Sequence, residues 1–175
     1  MHAFSVEVPS QASPERVWEL LADTETWAEW GLFDESVLEQ PGASEPQGVG
    51  AVRRFRTGKR ITRERVVAFV PPEHFGYELL SGLPIRDYRA DVTLRRQAAG
   101  GTLIRWESRF RGKFPVPGAL AKPKLEQFVR RTAEALARAA EQAYRVRVSR
   151  ASPAPRARRA PAASQGCARA RCRRR

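Results

Sequence analysis

Histidine and cysteine are almost missing from this chain, with two of each among 175 residues. Both cysteines, Cys167 and Cys172, stand near the C-terminus, so the body of the protein has neither a disulfide framework nor a thiol nucleophile. His2 and His74 lie far apart with no partner at metal-binding spacing, which argues against a structural zinc site; no metal and no cofactor are expected. No apolar run approaches the roughly 20 residues that a membrane-spanning helix needs. The opening "MHAFSVEVPSQASPE" lacks the basic-then-apolar pattern of a secretory signal, so a cytoplasmic protein without a membrane span is expected. A Ser-His-Asp set and a phosphate-cradling glycine loop are missing as well, which leaves ordinary hydrolase and nucleotide-binding chemistry without residues to perform it.

Acid is absent from one long stretch. From Arg145 to Arg175 there are eleven arginines and neither a lysine nor an acidic residue, while residues 1–144 hold 21 basic against 19 acidic side chains. The formal net charge of +13 therefore belongs to a tail. That tail, "SRASPAPRARRAPAASQGCARARCRRR", has too little apolar bulk to offset the entropy of ordering. Residues 148–175 are expected to form a disordered basic tail behind a single domain of residues 1–147. With no aromatic interleaving and no recognition motif, its expected contacts are non-specific ones with polyanions. The same composition is what GC-rich DNA encodes in an unselected frame, so a tail without evolved function stays open.

The body reads as a succession of short elements. "HAFSVEVP" alternates His2, Phe4, Val6 and Val8 with Ala3, Ser5 and Glu7, the period of a half-buried strand. Ser13 and Pro14 then give an N-cap and a first helical position, and Val17, Leu20 and Leu21 form an apolar stripe. Asp23 or Thr24 starts a second short helix that carries Trp27 and ends near Gly31. From Leu32 onward the text is strand-like, interrupted by "PGASEPQGVG", Thr57-Gly58-Lys59, Pro71-Pro72 and Gly100-Gly101. Tyr88, Ala90, Val92 and Leu94 share one face of a strand, as do Ile104, Trp106, Ser108 and Phe110, opposite charged residues. Such alternation predicts an antiparallel sheet with one wet face. Beyond "KFPVPGALAKP" the period becomes helical, with Leu125, Phe128, Val129, Thr132, Leu136, Ala139 and Ala143 recurring at three and four. A sheet with one apolar face must cover it, and the long helix has the matching stripe.

The segment "SPERVWELLADTETWAEW" followed by "GVGAVRRFRTGKRITRERVVAFVPPEHFGYELLSG", "YRADVTLRRQAAGGTLIRWESRF" and the last helix resembles the SRPBCC superfamily, also called START-like or helix-grip. Within it the match is to the polyketide cyclase/dehydratase-like group. The resemblance spans roughly residues 3–145 and rests on Ser13-Pro14, Val17-Trp18, Trp27, Trp30, Gly50, Glu64 with Val66, Pro71-Pro72, Tyr77, and Trp106 with Phe110. It implies an α+β fold: a curved antiparallel sheet of about seven strands around a long C-terminal helix, with two short helices after the first strand. It also implies an elongated apolar cavity between sheet and helix, its end plugged by the short helices with Trp18 and Trp27 against the sheet. Lipid carriers, hormone receptors and cyclases share this scaffold, so the fold does not choose among them.

Strand parity and the resemblance together give the expected ligand-binding wall: Trp27, Phe55, Tyr77, Tyr88, Ala90, Val92, Ile104, Trp106, Ser108, Phe110, Phe128 and Thr132. Arg54 and Arg56 fall on one face of their strand and Arg53 on the other, and at least one of them is expected inside. Resemblance to cyclases that hold an enolate with internal arginine and tyrosine groups makes Arg53 or Arg54 near Glu64 a candidate, and Arg54, Glu64 and Tyr88 the candidate catalytic groups. A cation in such a place stabilises developing negative charge far better than in water. An Arg–Glu pair at the mouth or on the solvated face is the competing possibility. The expected function is binding of a small hydrophobic or aromatic molecule, polyketide- or lipid-like; a cyclase/aromatase or dehydratase in the same cavity is the alternative, so whether the protein is an enzyme stays open. A nucleic-acid-associated protein acting through the tail is a third possibility.

Overall fold

The computed structural model describes the backbone of residues 1–113 and 118–151, with side chains for 1–113 and 120–142. Strand β1 (His2–Ser10) leads into helix α1 (Pro14–Ala22), where the Ser13 hydroxyl accepts from the Arg16 N–H at 3.4 Å. Asp23 caps a single 3₁₀ turn, Thr24–Thr26, by accepting from the Glu25 N–H at 3.1 Å. Helix α2 (Trp27–Trp30) follows directly and stops where the Gly31 N–H donates to the Trp27 carbonyl at 2.8 Å. Six strands come next: β2 (Glu35–Gln40), β3 (Val52–Thr57), β4 (Arg60–Val70), β5 (His74–Ser81), β6 (Ile85–Arg96) and β7 (Thr102–Gly112). Helix α3 (Gly118–Ala151) closes the described chain.

The seven strands form one antiparallel sheet in the order β1-β7-β6-β5-β4-β3-β2. Register aligns inward residues into rows across it, and a row is what a side chain of the core actually meets. One row runs Leu38, Arg53, Glu64, Leu79; another runs Val66, Tyr77, Ala90, Ser108, Phe4. A third runs Phe75, Val92, Trp106, Val6. Helix α3 packs against β1, β7 and α1, and so grips one side of the concave face. Near the β3–β4 turn, Thr62, Glu64 and Leu79 on that face are only half-buried.

Three details of α3 differ from the sequence-based expectation. It begins at Gly118, with Pro123 inside it, instead of after the proline, and it runs on to Ala151. Its buried stripe is Val129, Thr132, Ala133, Leu136, Ala137 and Ala140, whereas Ala139 is half-buried. Val129, Thr132 and Leu136 of the expected stripe are buried, and the alanines beside them, Ala133, Ala137 and Ala140, take the place of Ala139 because they let the helix approach closely. The side chain of Ala143 and residues 152–175, which include most of the predicted tail, lie outside the described residues. Among the described residues no helix is long and apolar enough to cross a membrane, and no group of His, Cys, Asp or Glu is placed to hold a metal ion.

Candidate functional site

Alternation along β3 decides where its arginines go. Arg53 and Phe55 point inward and are fully buried, while Arg54 and Arg56 point outward to the Glu35 carboxylate at 2.6 and 3.0 Å. The interior arginine is therefore Arg53, and Arg54 has no access to the concave face. Its physical reason is parity: Phe55 shares a face with Arg53, and burial of the ring carries the guanidinium in with it.

A buried cation needs compensation. Arg53 receives it from one carboxylate and four rings. Its Nη2 donates to Glu64 Oε2 at 3.0 Å, and its guanidinium carbon lies 4.7 Å from the ring centres of Trp27 and Phe75, 5.2 Å from Tyr77 and 5.3 Å from Phe55. Among the described residues Nε and Nη1 have no hydrogen-bond acceptor, so the aromatic faces carry that share of the stabilisation. Desolvated contacts of this kind contribute up to about 2 kcal/mol each. Burial pushes the Arg53 guanidinium down, opposed by Glu64, and pushes the Glu64 carboxyl up, opposed by Arg53. Since a guanidinium does not give up its proton in a protein, its charge favours the ionised form of Glu64 as counter-charge.

Beside the ion pair runs a chain of neutral polar groups. Trp106 Nε1 donates to the Tyr77 hydroxyl at 3.2 Å; Tyr77 and Tyr88 hydroxyls are 3.5 Å apart, and Tyr88 reaches Ser108 Oγ at 3.2 Å. Burial raises both phenols, Tyr77 well above its ordinary value and Tyr88 to about 12. Both hydroxyls hold their protons at neutral pH, so they serve as hydrogen-bond partners and not as bases.

Of the expected wall, Trp27, Phe55, Tyr77, Tyr88, Ala90, Val92, Ile104, Trp106, Ser108, Phe110 and Thr132 are buried and Phe128 is half-buried. They are not one surface. Trp27, Phe55 and Tyr77 surround Arg53, whereas Tyr77, Tyr88, Trp106 and Ser108 form the hydroxyl chain. Val92 and Ile104 sit in rows farther along the sheet, Phe110 lies under His2, and the Thr132 hydroxyl donates to the Phe128 carbonyl of its own helix at 2.9 Å. The resemblance implies an open elongated cavity, but much of that space is taken by rings that meet one another: Trp27 and Phe55 at 5.3 Å, Trp27 and Trp106 at 6.2 Å, Phe33 and Phe55 at 4.5 Å. A groove of about 770 Å³ lies instead over the outer side of β1, β5, β6 and β7, where His74 pairs with Asp91 at 3.0 Å.

Two residues of the site were not singled out from sequence. Phe75 is the second ring against Arg53, readable from its parity with Tyr77. Phe33 bridges Phe55 and Phe128, at 4.5 and 5.7 Å; it lies between elements, where no periodicity points to it. Like Leu38, Leu79, Leu83 and Leu125 it is half-buried and packed against the core, and Glu64, its side chain 14% exposed, stands in the row that runs from Leu38 to Leu79.

A curved antiparallel sheet gripping a C-terminal helix, with a short helical plug after the first strand, defines a START-like helix-grip protein. Residues 1–141 match the family model described as "Polyketide cyclase / dehydrase and lipid transport", and the chain belongs to that family. Among solved structures it is similar to a START superfamily protein from Mycobacterium smegmatis, with 18% identity and a TM-score of 0.71 over 82% of this chain and 99% of that one. It is also similar to the protein XoxI from Bacillus cereus, with 19% identity and a TM-score of 0.67 over 79% and 95%. At such identities these likenesses speak for the fold alone. No curated protein matches the chain.

Proposed function

We propose that the protein binds a small hydrophobic or aromatic molecule, polyketide- or lipid-like, at the inner mouth between β3–β5 and the first turns of α3. One observation carries this reading: a charged pair is set within an apolar, aromatic concave face, and the face is half-open there. Replacing a buried ion pair by packed apolar side chains is often neutral or stabilising, so the pair is a poor device for stability and a good one for recognition. The family description, which names both cyclases and lipid transport, agrees with an apolar ligand. Phe33 and Phe128 are half-buried, with their rings 5.7 Å apart, and on this reading they move aside as a ligand enters.

Titration of the full-length protein with the neutral probe N-phenyl-1-naphthylamine tests the proposal. One molecule should bind per chain and quench tryptophan fluorescence, because the Trp27 ring packs 4.7 Å from the Arg53 guanidinium with Trp30 and Trp106 against it at 4.9 and 6.2 Å. A Leu79→Trp variant should fold and lose the binding. Unchanged affinity in that variant would place the ligand elsewhere.

Catalysis as a cyclase or dehydratase is the second reading, favoured by one feature: a carboxylate held against a buried cation beside an apolar wall is the setting in which proton transfer at carbon is accelerated. Incubating a reactive poly-β-ketone surrogate with wild type and with Glu64→Gln separates the two. A ring pattern that changes with protein and reverts in the variant supports an enzyme; identical products with and without protein support a carrier.

A further inference from the structure

We infer that the group this site presents to its ligand is the Glu64 carboxylate and not the arginine behind it, so the polar end of the ligand is a hydrogen-bond donor, a phenol, enol or ammonium, and not a carboxylate or other anion. The inference rests on the binding proposal above and adds the chemistry of the ligand's head.

The argument is one of order along a line. Arg53 has no exposed surface, and four rings and Glu64 enclose it. Glu64 is the partner with exposed surface, 14% of its side chain. Its Oε2 accepts from Arg53, while among the described residues Oε1 has no donor. An ionised carboxylate accepts through both oxygens, so Oε1 is an unfilled acceptor at the edge of an apolar site. A ligand atom hydrogen-bonded to Oε1 would stand about 2.7 Å from the negative charge, with the guanidinium beyond it. At such separations the nearer charge decides the sign, and an anion would be repelled. The two buried phenols do not reverse this. Tyr77 is engaged by Trp106 and Tyr88, and Tyr88 by Ser108, so neither phenol is free to receive an anion in place of the carboxylate. The flanking residues of the row, Leu38 and Leu79, bring no charge.

Three naphthalenes of similar size test this on full-length wild-type protein at neutral pH: 2-naphthol, 2-methoxynaphthalene and 2-naphthoate, followed by calorimetry. A hydrogen bond to a charged acceptor favours 2-naphthol over its methyl ether by about tenfold, with 2-naphthoate the weakest of the three. If 2-naphthoate binds as tightly as 2-naphthol, the arginine reads the ligand and the inference is wrong. If 2-naphthol and its ether bind alike, the pair does not touch the ligand and the inference is equally wrong, although the binding proposal stands. If none of the three binds, the binding proposal fails and takes this inference with it. In Glu64→Gln, 2-naphthylmethylammonium should lose about tenfold more affinity than 2-methoxynaphthalene does; an unchanged ratio of the two affinities in the folded variant also overturns the assignment. Should that variant not fold, the wild-type ranking decides alone.

Discussion

Replacing Glu64 by leucine leaves a fully buried guanidinium without its counter-charge, and its cost can be worked from the geometry. Arg53 is fully buried, two of its nitrogens already lack acceptors, and Glu64 Oε2 at 3.0 Å is the one carboxylate oxygen it has among the described residues. Removing one partner of such a pair costs about 3–5 kcal/mol, which for a domain of this size lowers Tm by roughly 6–20 °C. Arg53→Met is milder. Methionine fills much of the same space against the rings, and the carboxylate left behind, 14% exposed, can turn to water or take a proton. The lost cation–π contacts and imperfect packing give about 1–3 kcal/mol. In the double variant Arg53→Met with Glu64→Leu no charge is stranded, so the cost should fall to that of Arg53→Met or below. Urea denaturation followed by far-UV circular dichroism measures all four proteins. A sum of single costs equal to the cost of the double variant would show that the two side chains are uncoupled. The account of the interior given above would then be refuted.

Tyr88→Phe removes the hydroxyl that joins Tyr77 to Ser108 and leaves Ser108 Oγ unpaired among the described residues, a loss of about 1–2 kcal/mol readable in the same denaturation experiment. The wild-type phenol, raised to about 12 in the fold against an ordinary value of about 10, contributes stability that is fully present below pH 10 and is lost as pH climbs toward 12. Ultraviolet titration should find it ionising only as the fold is lost, and ionisation near pH 10 in intact protein would contradict its burial. Gly101 has φ +81°, and a Cβ there would stand 2.2 Å from the Ser10 carbonyl oxygen; Gly100, at φ +91°, has nothing within 4 Å. Gly101→Ala should therefore destabilise by about 2 kcal/mol or more and Gly100→Ala by only about 1 kcal/mol, the backbone strain alone; equal thermal shifts would show that the contact with β1 is not tight. For the arginine-rich segment we propose no structural part: a chain ending at Ala151 should melt within a few degrees of the full chain, while only the full chain binds heparin, DNA and RNA alike at low salt and releases them as salt rises.

How much of this was legible beforehand differs from element to element. The inward rows could be read residue by residue, because Tyr88, Ala90, Val92 and Ile104, Trp106, Ser108 alternate strictly with charged neighbours, and a two-residue period has one physical interpretation. On α3 the period was right and the buried stripe partly wrong, since alanine weighs little in hydrophobicity yet decides how closely a helix approaches a strand. On β3 three arginines in four residues hid the answer. Charge alone cannot say which face is wet, although Phe55, sharing parity with Arg53, was the signal available.

The sequence by itself determined the order of elements, the two faces of each strand, the caps that start and stop the short helices, and the segregation of arginine beyond residue 144, because each of these depends on neighbours a few positions apart. Only the tertiary structure decided that Arg53 and Glu64 meet, that Trp27 and Phe75 close over the guanidinium from elements 48 residues apart in the chain, and that Glu64 rather than Arg53 keeps exposed surface. Those outcomes depend on strand register and on which side of the sheet the helix covers, and both are fixed by the packing of the whole core.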